Sequence, residues 1–297
     1  MKYNYNLEIC NETNKDEIFN KYRQIIYEHI LAEISDLFDF GLDLLVVFRE
    51  IEKRKLINGE TYNAGTTLID GKYAIIINIA SLEKLPYDGG CDLAISIRHE
   101  LCHVYDLHVL MNNKYYSVNP VLNNQKTLKD FTISKGWLFW SEFHAYYITY
   151  KTFKDEYKVI AFSEIEKAYG KLKKQLDKIK NISDFETKKS KNMLRNFKES
   201  IEDFIYLVAK YLGGCIFKDD DVSGRGDDET ENNFSEWIDK IFRKLLNKSF
   251  PLVRKDYGRG LARKLYKLGK YLLTDIYGEF SMFPIYQEGS ILFAYCE

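Results

Sequence analysis

Proline is scarce, with four residues among 297. A chain so poor in helix breakers is free to build long uninterrupted helices. It contains no run of about 18 consecutive apolar residues, the minimum for a membrane-crossing helix, so no transmembrane span is expected. The opening residues, MKYNYNLEICNETNKDE, carry no apolar stretch of the signal-peptide kind. An excess of one charge sign is missing too: the net charge of -1 gives no global attraction to nucleic acid or to acidic membrane. Five cysteines (Cys10, Cys91, Cys102, Cys215, Cys296) are scattered, odd in number and without CxxC spacing. They read as reduced thiols in a cytoplasmic protein rather than as a disulfide framework. There is no internal repeat and no low-complexity linker.

The chain is rich in aromatics, with 23 tyrosines and 19 phenylalanines, and 45% of its residues are apolar. That is an ordinary globular balance, on a chain long enough for a substantial core. Histidine is used sparingly but not evenly. Of five, four (His99, His103, His108, His144) fall in one segment.

Apolar residues at three- and four-residue steps predict an amphipathic helix over 15–38. Leu44–Phe48 then reads as a buried strand. Thr66–Ile69 and Tyr73–Ile79 flank Asp70-Gly71, a strong hairpin signal because both turn residues need positive φ. A small, mostly antiparallel sheet is therefore expected ahead of a helix running from Cys91 or Asp92 to about Met111. After a polar loop, a second helix is expected from near Gly136, covering WLFWSEFHAYYITYKTF. Beyond residue 155 lysine becomes frequent. Ile165, Tyr169, Leu172, Leu176 and Ile179, then Met193, Phe197, Ile201, Phe204 and Val208, step as two helices packed in a hairpin. The expectation is an α+β chain: a sheet-and-helix domain over 1–155, then a mostly helical region over 156–297 packed on it.

The helix over 91–111 carries His99-Glu100-Leu101-Cys102-His103. Residues four apart on a helix are about 40° apart around its axis, so His99 and His103 can share one metal ion. Glu100 lies about 80° to their side, where it can reach a water at the metal without ligating it. Ile97, Leu101, Val104 and His108 point roughly 120–160° away, which suits them to packing and excludes His108 as a ligand. Asp106, about 40° off the metal direction, is a candidate acceptor for a histidine N–H; an exposed or capping aspartate is the alternative. Cys102 and His29 read as packing residues.

A third ligand is available in the second helix. Glu142 shares a face with Leu138, Phe139, Ala145, Tyr146, Thr149 and Phe153, and a carboxylate in an apolar stripe needs a partner. Zinc is such a partner. His144 points nearly opposite, beside Trp137, Trp140 and Tyr147. The acidic loop 218–232 has a calcium-like rhythm (Asp219, Asp221, Ser223, Gly224, Asp227), but Thr230 stands where a bidentate Glu is required. It reads as a solvated loop.

At HELCH and WSEFHAYY the sequence resembles zincin-type zinc metallopeptidases, in the gluzincin-like HExxH…E pattern, and within them the ImmA/IrrE-like, phage- or mobile-element-associated branch. The resemblance covers roughly residues 40–155. Tyr146 departs from it, standing where several gluzincins have an aspartate. The resemblance implies one Zn2+ held by His99, His103 and Glu142, with Glu100 as general base for peptide-bond hydrolysis. It implies an extended peptide lying on the Tyr73, Ile75, Ile77, Ile79 strand as the sheet edge. It also implies an oxyanion partner, which Tyr146, Tyr147 or Tyr150 could supply. The expected partner is a peptide or protein, with neither nucleic acid nor membrane involved. The alternative is a regulatory or protein-binding factor on a zincin scaffold, with little turnover.

Overall fold

The computed structural model describes residues 4–51, 64–83, 90–112, 127–153, 160–182, 187–217, 233–249, 260–287 and 290–295. The acidic segment 218–232 lies outside the described residues, as do Cys296, most of the polar loop after Met111 and the segment around residue 155. The chain divides into two compact units: Met1–Val109 with Ile148–Lys158, and Leu110–Tyr147 with Val159–Glu297.

The first unit holds a four-stranded sheet in the order β1-β2-β4-β3. Strand β1 (Tyr5–Asn11) pairs parallel with β2 (Leu42–Arg49), Tyr5 opposite Leu42 and Asn11 opposite Phe48. Parallel neighbours need a crossover, and helix α1 (Asp16–Leu37) supplies it. Its buried stripe is Tyr22, Ile26, Ile30, Ile34 and Leu37, each about one turn from the next. Strand β2 is apolar almost throughout, and Leu42, Leu44, Val46, Val47 and Phe48 are all buried, as befits a central strand.

Strand β4 (Lys72–Asn78) pairs parallel with β2 on one side and antiparallel with β3 (Ala64–Ile69) on the other. The expected hairpin is there: Asp70 has φ 49° and Gly71 φ 79°, the two positive values that a tight two-residue turn requires. The sheet is nevertheless mixed, not mostly antiparallel, since two of its three pairings are parallel. Both parallel pairings run through β2: β1, with its alternation of Tyr5, Leu7 and Ile9, joins it through the α1 crossover on one side, and β4 rather than β3 lies beside it on the other.

A short helix, α2 (Ile79–Leu82), follows β4 directly, with the Asn78 side chain accepting from the Ala80 N–H at 3.3 Å. Helix α3 (Gly90–Met111) comes next. Ile97, Leu101 and Val104 are buried as their facing requires. An Arg98–Glu33 ion pair, only 12% and 18% exposed, ties α3 to α1. Among the described residues, no helix is long and apolar enough to cross a membrane.

The second unit is chiefly helical. Helix α4 (Leu128–Thr152) starts eight residues before the Gly136 start expected from sequence, at a reciprocal cap. Thr127 Oγ1 accepts from the Asp130 N–H at 3.1 Å and donates to Asp130 Oδ2 at 2.7 Å. Gly136 is not a boundary but a point of close approach. A Cβ there would stand 2.0 Å from the Leu265 carbonyl oxygen of α8 (Leu261–Tyr271), and one on Gly269 would stand 1.7 Å from the Thr132 oxygen.

Helices α5 (Phe162–Lys180) and α6 (Lys188–Phe217) pack along each other. They bury Ile165, Leu172, Leu176 and Ile179 on one side and Phe197, Ile201, Phe204 and Val208 on the other. Helix α7 (Asn233–Ser249) precedes α8, which continues into a π-helical turn, Leu272–Tyr277. The chain then closes with an antiparallel hairpin, β5 (Met282–Gln287) and β6 (Ser290–Tyr295), where the sequence suggested only an apolar tail.

Candidate metal centre

The site is built on α3. Because His99 and His103 are one turn apart, their rings rise from the same side of the helix. The rings stand at 87° to one another, edge to face, with Nε2 facing Nε2 at 3.0 Å. Two nitrogens bound to one tetrahedral zinc, each at about 2.05 Å, would be about 3.3 Å apart. The observed spacing is within a few tenths of an ångström of that. Both histidines are buried, at 9% and 8% exposure, as is Glu100 between them.

Helix α4 contributes the third group. His99, His103 and Glu142 each offer one ligand atom, and these atoms all lie within 4.8 Å of one another. Among the described residues no other set of three His, Cys, Asp or Glu side chains has this property. Two imidazoles and a carboxylate are a donor set suited to a divalent metal. Glu142 is half-buried, on a face where Phe139, Ala145, Tyr146 and Thr149 are all buried. Leu138, one turn before it, is 44% exposed, while Ala145 and Phe139 are buried. That flank of α4 is therefore partly open to solvent.

Glu100 has a partner that the sequence did not announce. Thr66, on β3, places its Oγ1 2.8 Å from Glu100 Oε2 and 3.1 Å from the Glu100 carbonyl oxygen, so its single proton serves both acceptors. The contact spans 34 residues of chain, and no local pattern could have revealed it. Nothing periodic marks Thr66 apart from Thr67.

Asp106 is completely buried inside α3, which removes the exposed and capping readings of this residue. His108 is engaged on the far side, as its facing required. Its ring stacks on Phe40 at 3.6 Å and its Nδ1 lies 3.0 Å from the Tyr73 hydroxyl. Burial lowers its pKa, against the pull of Asp39. His144 is buried and stacks on Trp140. Of the three tyrosines considered for the oxyanion, Tyr146 is buried with its hydroxyl against that of Tyr206 on α6. Gly213 of α6 lies so close that a Cβ on it would meet Tyr146 Cβ at 2.8 Å. Tyr150 is buried and Tyr147 half-buried.

The expected substrate strand needs correcting. Tyr73, Ile75 and Ile77 lie on β4, which has β2 on one side and β3 on the other, so no backbone edge is left there for a peptide. Ile79 is not in the strand but opens α2. Among the described residues the edge next to β4 is β3. The physical reason is the Asp-Gly turn, which folds β3 back onto the outer side of β4.

No protein-family model matches this chain, and no curated protein matches it either.

Proposed function

We propose that this protein is a zinc-dependent peptide hydrolase of the zincin type. The observation that carries the reading is the convergence of His99, His103 and Glu142 on one point, with Glu100 buried beside the two histidines on the same helix. The donor set fits zinc, and three protein ligands leave one position open. Bound there, zinc would acidify a water and polarise a carbonyl.

The chain's own residues do the rest. Glu100 takes a proton from the attacking water, the new oxygen–carbon bond forms at the scissile carbonyl, and the carbon–nitrogen bond then breaks. The same carboxyl returns the proton to the leaving nitrogen. An extended peptide would add along β3, the edge strand among the described residues, where main-chain hydrogen bonds would hold it beside Glu100. An odd number of scattered cysteines without CxxC spacing fits a reducing, cytoplasmic setting.

The test is hydrolysis of a denatured protein by the zinc-loaded full chain, with Glu100→Gln as its control. Loss of the general base should lower the rate by about 10²–10⁴-fold with zinc content unchanged. Equal rates in the two proteins would remove the hydrolytic reading and favour a metal-bearing protein-binding factor.

A further inference from the structure

We infer that Thr66 is a positioning residue for Glu100, holding one oxygen of the carboxylate so that the other is presented for proton transfer. The inference rests on the hydrolase reading for its consequence but not for its geometry.

Glu100 is 7% exposed, so solvent does little to fix its orientation. A glutamate has three side-chain torsions, and its terminal one is broad, so a buried carboxylate without a donor would sample several orientations. Thr66 supplies the donor. Its hydroxyl is 2.8 Å from Oε2, the usual length of an O–H···O bond, and 3.1 Å from the carbonyl oxygen of the same residue. One side chain thus grips both the backbone and the head group of Glu100, which fixes the carboxylate relative to its own helix. With Oε2 engaged, Oε1 is the oxygen left to take the proton.

The donor's own placement is rigid. Thr66 sits within β3, opposite Ile75 of β4 in the antiparallel register, so strand pairing sets its height along the sheet. Threonine is stiff about χ1, and a strand restricts it further. The same strand is the sheet edge along which the proposed peptide would lie. A peptide paired with β3 would therefore be held by the element that aims the base. A plain structural tie between β3 and α3 would need only the carbonyl contact; the shorter bond goes to the carboxylate.

The experiment compares zinc-loaded wild type, Thr66→Val, Thr66→Ser and Glu100→Gln by crystallography and by steady-state hydrolysis of a peptide. Valine keeps the shape and removes the hydroxyl; serine keeps the hydroxyl. In the crystals, Glu100 should adopt one orientation in wild type and Thr66→Ser, and a rotated or split one in Thr66→Val. In the kinetics, Thr66→Val should lose about tenfold or more in kcat with KM within about twofold, and Thr66→Ser should recover most of it. An unmoved, single-orientation Glu100 in Thr66→Val, or an unchanged kcat where wild type outpaces Glu100→Gln, overturns the assignment. If Glu100 reorients as expected while wild type turns over no faster than Glu100→Gln, the positioning stands and the hydrolase reading is what fails.

Discussion

His99, Glu100, His103 and Asp106 on α3, and Lys135, Glu202 and Tyr277 in the helical unit, are two sets of ionisable side chains drawn largely out of water. In the helical set, donors meet an acceptor. Lys135 is paired with Glu202, the Tyr277 hydroxyl donates to the same Oε1 at 3.4 Å, and Lys198 stands 3.5 Å from it one turn along α6. The one carboxylate there is faced by two lysines and a hydroxyl. On α3 the geometry is of another kind: two imidazole nitrogens of the same type face each other, and the third ligand atom in reach belongs to a carboxylate. A single shared proton could join the two imidazoles, but it would not account for three ligand atoms converging. Burial of polar groups alone therefore does not mark a site. What distinguishes the two sets is that one pairs donors with an acceptor, while the other brings three metal-ligating atom types together.

The contrast breaks most sharply under metal titration. Wild type should bind about one zinc per chain. His103→Ala and Glu142→Ala should each weaken binding by more than about a hundredfold, since even residues behind the ligands are worth 10–100-fold. Lys135→Met should bind zinc like wild type and instead lose about 1–3 kcal/mol of stability in urea, because it leaves Glu202 without its main partner, discounted for the partial exposure of that carboxylate. Isothermal titration and urea unfolding of the same three variants read both effects. Zinc kept at full stoichiometry in Glu142→Ala would remove that residue from the site, and zinc lost in Lys135→Met would erase the distinction between the clusters.

How much of this was legible in the sequence follows the same line. The histidine pair, the glutamate beside it and the packing face follow from helix geometry within α3 alone, and α3 ends at Met111 as expected. The Asp70-Gly71 turn is equally local. Glu142 is legible because it lies on a helix whose facing can be worked out, although that helix starts at a Thr127–Asp130 cap well before Gly136. Pairings across distance were not legible. The parallel partners β1 and β2, the edge position of β3 and the Thr66–Glu100 bond all depend on which segments meet. Hydrophobic periodicity reports the face of an element and not its neighbour.

Gly136, next to Lys135, tests the packing of the helical unit. Alanine in a helix interior is ordinarily favoured over glycine by about 1 kcal/mol. Here the added Cβ would meet the backbone oxygen of Leu265 at 2.0 Å, and backbone cannot rotate away as a side chain can. Gly136→Ala should therefore destabilise the protein, by about 1–3 kcal/mol as overpacking usually does. A gain in stability would mean that α4 and α8 are not in contact at that point.

The smallest expected effect is a pH dependence, and its sign identifies the helical cluster as a stability device. Burial pushes the Glu202 carboxyl up, but Lys135 and Lys198 pull harder in the other direction, leaving it below the ordinary value. A carboxyl whose folded pKa lies below its unfolded one binds protons more readily when the chain is unfolded. Its contribution is therefore complete above the unfolded value of about 4.3 and fades as pH falls through the lower folded value. Glutamine at position 202 cannot titrate. The stability difference between wild type and Glu202→Gln, measured by urea unfolding, should accordingly be constant from neutral pH down to about 5 and shrink below that. Metal binding would weaken in acid as well, since imidazoles ligate a metal only when neutral, but it should do so alike in wild type and Glu202→Gln. A wild-type-to-glutamine difference that stays flat to the acid limit would show that Glu202 gains nothing from its lysines, and the two buried clusters would then differ only in what they bind.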